Sequence, residues 1–429
     1  MILDDHDVTD DWNLHRQWVE TVHGRPIGRR VVQNALAAYA VFQGWGNEPD
    51  RYAPGEPGGR LLAALGRWRG AADRTAEEIS AAVGLPSTDG SPRLDWDYAV
   101  DTTAYQAIVL DTRTRRGFRP GGAGRAAPAL LGDQARETQL TRRRRERRRE
   151  VPLTIVVSAA PVFGHPLIEV WLQLKKIKAI EWLPGAPAAV DREPWSLNPA
   201  AYEALLATLV PFRRVVILSG DVHYGFAGAV DYRDLRGRRR ARFVQLTSSP
   251  LRNEELRSRL LGGVPTVSRV PAVLGTRVER VLNRVTTPPS VSWLGWPASR
   301  RRWRRSTAPL VLARTLAGVP DRLGEPDWTY TVDFGSDPRL DGPVPGRSHA
   351  EHDRAVALRD RHSWAFMNCV VGRNNLGDVE FLAPGPDGAP GVLRQSLWFD
   401  KTSIRSGGEP ERLPYTVHDL PLDPAEEEG

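Results

Sequence analysis

Apolar and polar residues fall into blocks along this chain, and the block lengths separate strands from helices. Four short β-branched runs stand out: AIVLD at 107–111, LTIVVSAAP at 153–161, VVILSG at 215–220 and RFVQLTSSP at 242–250. Each is closed by a polar or glycine-bearing turn, the pattern of strands buried on both faces of a layered α/β protein. Helical spacing lies between the second and third runs, in NPAAYEALLATLV with Pro199 near its start. It also marks GRRVVQNALAAYAVFQGWGN at 28–47, where Val31, Leu36, Ala40 and Phe42 give an apolar face. A shorter helix is expected around RTAEEISAAVG at 74–84. Farther on, WAFMNCVVG and GDVEFLA read as a hairpin turning through NNLG.

These blocks divide the 429 residues into four parts. A partial α/β core spans 1–260, with an insertion at about 112–150. A Pro-, Arg- and Trp-rich insertion spans 261–330. The core returns over 331–402, including the hairpin, and a flexible Pro- and Glu-rich tail covers 403–429.

Hydrophobic residues make up 41% of the chain, enough to expect a packed core through most of it. The formal net charge of +7 comes largely from arginine clusters, including TRRRRERRRE at 141–150 and RRRWRRS at 300–306. Both read as solvated parts of insertions, and neither lies in a recognised nucleic-acid fold. Nucleic acid is therefore expected only as a non-specific partner or a phosphodiester substrate. The single cysteine, Cys369, excludes an intrachain disulfide and a cysteine-based zinc site. No run is apolar over the length of a membrane span, so no membrane partner is expected. The acidic opening MILDDHDVTDDWN lacks the features of a signal peptide. That implies a cytoplasmic protein, or a secreted or periplasmic one if a signal precedes Met1.

Candidate chemistry sits at two strand ends. In VVILSGDVHYGFAGAV a buried strand runs into Ser219-Gly220-Asp221-Val222-His223, and residues two apart can project to one side. A carboxylate with an imidazole suits iron, manganese or zinc, with calcium on the carboxylate side. The plainer reading is an Asp that caps a turn and a His bonded to a carbonyl. In the opening segment, Asp4, Asp5 and Asp7 crowd around His6 at the end of an apolar run. Carboxylates that close repel unless a cation or an arginine neutralises them. A solvated acidic turn is the alternative there.

Together the two segments resemble the metallophosphoesterase superfamily, and its alkaline phosphatase D (PhoD-like) branch in particular. That branch carries an Asp-Asp-His-Glu/Asp element and a later Ser-Gly-Asp-Val-His element, matched by Asp4-Asp5-His6-Asp7 and Ser219–His223. A strand ending in Asp-Thr-Arg is matched by Asp111-Thr112-Arg113, and NALAAYAVFQGWGN, QLTSSPLRN and VVGRNNLG are further similar pieces. The resemblance implies an α/β calcineurin-like sandwich of two mixed sheets flanked by helices. It implies hydrolysis of phosphomonoesters or phosphodiesters with calcium, iron, manganese or zinc. It makes Asp5, Asp221 and His223 metal ligands, and His6, oriented by Asp7, the acid that protonates the leaving alkoxide or the group that steadies the attacked phosphate. Arg113 would hold a phosphate oxygen, or else pair structurally with an aspartate. The family's first ligands lie on strands upstream of the Asp-Asp-His element, where this chain starts. The first strands are thus expected to be missing, through a late start or a true truncation, and activity impaired. The intermediate strand offers Ala159 and Ala160 with only His165 beyond it, while DREPW (Asp191, Trp195) resembles the branch's local pattern. The alternative is a non-catalytic remnant or an anion-binding protein that uses its Arg-rich insertions.

Overall fold

The runs read as strands become the centre of one sheet. The computed structural model describes residues 1–9, 12–70, 74–85, 93–118, 127–147, 150–164, 194–234, 238–249, 328–334, 370–372, 374–384, 390–399 and 415–422. The large sheet holds β1 (Tyr98–Asp101), β2 (Tyr105–Val109), β3 (Leu153–Ser158), β4 (Arg214–Ser219), β5 (Gly225–Asp234), β6 (Arg239–Thr247), β7 (Trp328–Phe334) and β8 (Val370–Val371). Its order is β1-β2-β3-β4-β6-β5-β7, with β8 also on β5. β2, β3, β4 and β6 pair in parallel, and the flanking pairs are antiparallel. Because the central four are parallel, their C-terminal ends share one edge, where open α/β sheets place sites.

Alternation along each strand sends side chains to two cores. Val215 and Ile217 of β4 join Ile108, Val156 and Phe243 under the helix Pro199–Leu209, which contributes Tyr202, Leu205, Leu206 and Leu209. Val216 of β4, Ala227, Ala229 and Val244 face the other way and meet Leu393 and Leu420 of a second sheet. That sheet comprises β9 (Asn375–Pro384), β10 (Pro390–Phe399) and β11 (Tyr415–Pro421) in the order β11-β10-β9. The architecture is therefore α/β with a mixed sheet, a smaller sheet and helices. The second sheet is antiparallel throughout its described pairs, where two mixed sheets were expected.

A third core holds the N-terminal layer: Leu3, Trp12 and helices α1 (Arg16–His23), α2 (Pro26–Tyr39), α3 (Pro57–Arg67) and α4 (Arg74–Ala82), closed by Trp96. The buried face of α2 is Val32, Leu36 and Ala37, continuing to Ala40. Val31 and Phe42, read as core, are 50% and 81% exposed. The chain widens into a π turn at Ala40–Gly44, which breaks the helical spacing and turns Phe42 outward.

Three segments carry details beyond those expected. The described part of 112–150 contains α5 (Asp133–Arg136), a wide turn at Glu137–Arg142 and α6 (Arg143–Glu146), and Leu140 is wholly buried in the core under β3 and β4. Among the described residues no hairpin runs through NNLG: β8 pairs with β5 while β9 pairs with β10. Residues 415–421 of the supposed tail are β11, with Val417 and Leu420 buried. The segment 261–325, His165, Asp191 and Cys369 lie outside the described residues.

Candidate metal centre

The centre is built where the opening segment meets the C-terminal edge of the large sheet. Asp4 caps a 3-10 turn over Asp5–Asp7: its carboxylate accepts from the Asp5 N–H at 2.9 Å, and its own N–H donates to Asp7 Oδ2 at 2.9 Å. The reciprocal capping fixes the acidic turn locally. It leaves the Asp5 carboxylate buried at 2% exposure while the His6 ring stays exposed.

Asp111 performs the same service after β2. Its Oδ1 accepts from the N–H groups of Arg113 (3.1 Å) and Thr114 (2.8 Å), and Thr114 Oγ1 donates to Oδ2. This Asx-type turn carries Arg113 inward. The Arg113 carbonyl accepts from Asn13 Nδ2 at 3.0 Å. Its guanidinium is wholly buried and contacts three carboxylates: Asp4 Oδ1, Asp5 Oδ1 at 3.2 Å and Asp221 Oδ2 at 2.6 Å.

β4 delivers the remaining groups. Gly220 leaves the strand with its N–H on the Ala159 carbonyl at 2.9 Å, and Ser219 Oγ lies 2.8 Å from Thr247 Oγ1. Asp221 and His223 then take φ of 67° and 57°, the left-handed region that only glycine enters freely. Two strained residues in one turn, both bearing candidate ligands, are what a site under constraint shows. The turn ends at Gly225, where a Cβ would come within 2.9 Å of Leu397 and 3.0 Å of Asn375 Oδ1, so glycine is required for the close packing of the two sheets.

The ligand atoms of Asp5, His6 and Asp221 all lie within 4.8 Å of one another, a spacing one cation can bridge. His223 stands edge-on to His6, ring centres 6.1 Å apart at 86°. An ionised carboxylate has two oxygens and about four lone-pair directions, so ion pairing to Arg113 does not exhaust Asp5 or Asp221 as donors. Two carboxylates and an imidazole fit a divalent cation by donor type and number.

Asp5, His6, Asp221, His223 and Arg113 thus lie together at the strand ends. His6, expected as the acid, is one of three residues whose ligand atoms lie within 4.8 Å of one another, and the ring of His223, expected as a ligand, stands edge-on to it. Arg113 has no exposed surface with which to hold a substrate phosphate and sits instead among aspartates. Asp7 is engaged by the Asp4 N–H and by Gln43 Nε2 at 3.2 Å, and burial pushes its carboxyl above the usual range. Sequence reasoning gave Asp4 no separate role and passed over Asn13 and Asn375. Asn375 is buried at the mouth of β9, accepting from Ser248 Oγ at 2.8 Å and donating to the Ser249 carbonyl at 2.8 Å.

Asp111 yields a test of this scaffold. Burial pushes its carboxyl up to about 6, against the bonds from Thr114 and Arg113 that pull it down. The fold therefore favours the protonated acid. Its contribution is full below about pH 4 and is lost as pH rises through about 6. Asp111→Asn keeps the backbone acceptor and removes the charge. Its unfolding free energy in urea should then fall less between about pH 4 and about pH 7 than that of the wild type. An unchanged slope would contradict the assignment.

No protein-family profile matches the sequence, and no curated protein does. A solved structure of PhoD superposes with a TM-score of 0.29 and 12% identity, over 57% of this chain and 38% of that one. The match spans well under half of PhoD's length. Among the described residues no helix is long and apolar enough to cross a membrane.

Proposed function

We propose that this chain is a metal-dependent phosphoesterase acting on phosphomonoesters or phosphodiesters. The observation that carries the reading is the convergence of Asp5, His6 and Asp221 at the strand ends, with ligand atoms within 4.8 Å of one another. The motif resemblance to the PhoD-like branch points the same way. Asp5, His6 and Asp221 would hold the cation, with calcium, manganese, iron and zinc all compatible with oxygen and imidazole donors. A bound cation supplies Lewis acidity and positive charge beside the phosphoryl oxygens.

The protein's own groups do the rest. Arg113 offsets the repulsion of three carboxylates and holds them in place. His223, half-buried beside His6, would give a proton to the leaving alkoxide. This exchanges the two histidine roles that the motif resemblance implies. Three protein donors with a guanidinium in contact with two of them retain a cation weakly, so turnover should be slow.

The test uses chelator-stripped protein given calcium, manganese, iron or zinc, with a nitrophenyl ester and an alkyl ester as substrates. Nitrophenolate leaves without a proton, so His223→Ala should lower alkyl-ester turnover by about 100-fold or more and spare the nitrophenyl ester. His6→Ala should hurt both alike and lower bound metal. The reverse pattern would restore His6 as the acid. Wild-type turnover that ignores added cations would end the phosphoesterase reading.

A further inference from the structure

At the opposite edge of the large sheet lies a second feature, unrelated to the cation site. A cleft of about 620 Å³ opens at the N-terminal ends of β3, β4 and β6, lined by seven arginines and one glutamate. Its volume is within the range of about 300–1,000 Å³ usual for small-ligand sites. Strands of six residues put it about 20 Å from the cation centre.

The arginines come from three separate stretches of sequence. Arg144 and Arg147 lie at the end of α6, Arg213 and Arg214 enter β4, and Arg239 and Arg240 begin β6. Parallel pairing sets Arg214 opposite Arg242 and so stacks the stretches. Part of the charge is answered locally: Asp231 pairs with Arg242 at 2.9 Å and Arg239 at 4.0 Å, and Glu150 with Arg147 at 3.6 Å. Among the described residues the lining itself carries seven guanidinium groups and a single carboxylate, an excess of positive charge.

Arg213 adds a second observation. Its φ and ψ are 64° and −55°, close to the rare and strained γ-turn that glycine would adopt more easily. Its N–H bonds the Val210 carbonyl and its own carbonyl accepts from Arg242 at 2.7 Å. An exposed arginine is thereby held at the mouth of the cleft in a conformation its backbone disfavours.

We propose that this cleft binds an oligophosphate, a short chain of linked phosphates. Guanidinium groups match phosphate oxygens as planar, two-pronged donors, and several in one concavity match several linked phosphates. The aromatic side chain in the lining, Phe212, is buried, so the cleft offers no platform for stacking bases. That argues against single-stranded nucleic acid. The site is also concave, unlike the amphipathic face that lies on a lipid surface.

The experiment is calorimetric titration of inorganic tripolyphosphate into the full chain with chelator present, which removes any part played by the cation centre. Binding should weaken between about 50 mM and about 200 mM salt. Arg213→Gln combined with Arg240→Gln should weaken it at least about tenfold, while Arg145→Gln, on the same helix but outside the cleft, should leave it unchanged. If the double variant unfolds, Arg240→Gln alone carries the test, since that side chain is exposed. Arg213→Gly should raise the melting temperature while weakening binding. ATP binding as tightly as tripolyphosphate keeps the inorganic chain as the ligand, and tighter ATP binding names a nucleotide as its source. Absence of binding, equal affinity for polyglutamate, tighter binding of an oligothymidylate or equal loss in Arg145→Gln would each overturn the proposal.

Discussion

Arg113→Ala should be among the most destabilising single substitutions in the chain. The side chain is wholly buried and its guanidinium contacts Asp4, Asp5 and Asp221. Removing one partner of a buried ion pair costs roughly 3–5 kcal/mol, because the other charges are left uncompensated. Here three carboxylates lose their common cation, so the upper part of that range is expected in urea unfolding at neutral pH with chelator present. The same arrangement predicts a rescue. Added divalent cation should recover more stability in Arg113→Ala than in the wild type, because the metal then answers charge that the arginine answered before. A loss below about 1 kcal/mol would show that the cluster is screened by solvent and that Arg113 does not organise it.

Asp221→Asn should abolish most turnover while leaving the fold intact. Asparagine is nearly isosteric and tolerates positive φ, so the backbone at 67° should persist. Its amide oxygen can still accept from Arg113 Nη2, which now donates to Asp221 Oδ2 at 2.6 Å. What disappears is the charge that makes the carboxylate a cation ligand. Loss of a group in the second layer around a metal already costs 10–100-fold, so loss of a ligand should lower cation-dependent turnover by at least about 100-fold. Steady-state kinetics with a nitrophenyl ester, beside a melting curve within a few degrees of wild type, would meet the prediction. Full activity would remove Asp221 from the chemistry.

The large sheet was legible where burial on both faces makes a strand a plain apolar run. β2, β3, β4 and β6 all fall on such runs. β5 escaped because it alternates glycine and alanine with larger residues, close packing against the second sheet demanding the small ones. The hairpin expected through NNLG is absent among the described residues. Asn375 reads as a turn residue, yet it begins β9, where it bonds Ser248 and Ser249 across the junction with β6. β11 was hidden by the prolines and glutamates around it, although Tyr415-Thr416-Val417 is β-prone. The site's composition was readable from Asp-Asp-His-Asp and Ser-Gly-Asp-Val-His, since both end apolar runs. Its internal arrangement was not, because it depends on left-handed backbone at Asp221 and His223 and on an arginine brought from more than a hundred residues away. The oligophosphate cleft was divided in the sequence between one noticed run, 141–150, and short arginine stretches at 213–214 and 238–242 that pairing of β4 with β6 brings together.

Calorimetric titration of manganese into chelator-stripped protein tests the central claim most directly. The wild type should bind one cation per chain, and the double variant Asp5→Asn with Asp221→Asn should bind none while keeping its fold. Manganese suits the test because its affinity for carboxylate and imidazole does not depend on cysteine. Binding in the wild type that persists undiminished in the double variant, or no binding in either, would contradict the assignment of a cation to Asp5, His6 and Asp221.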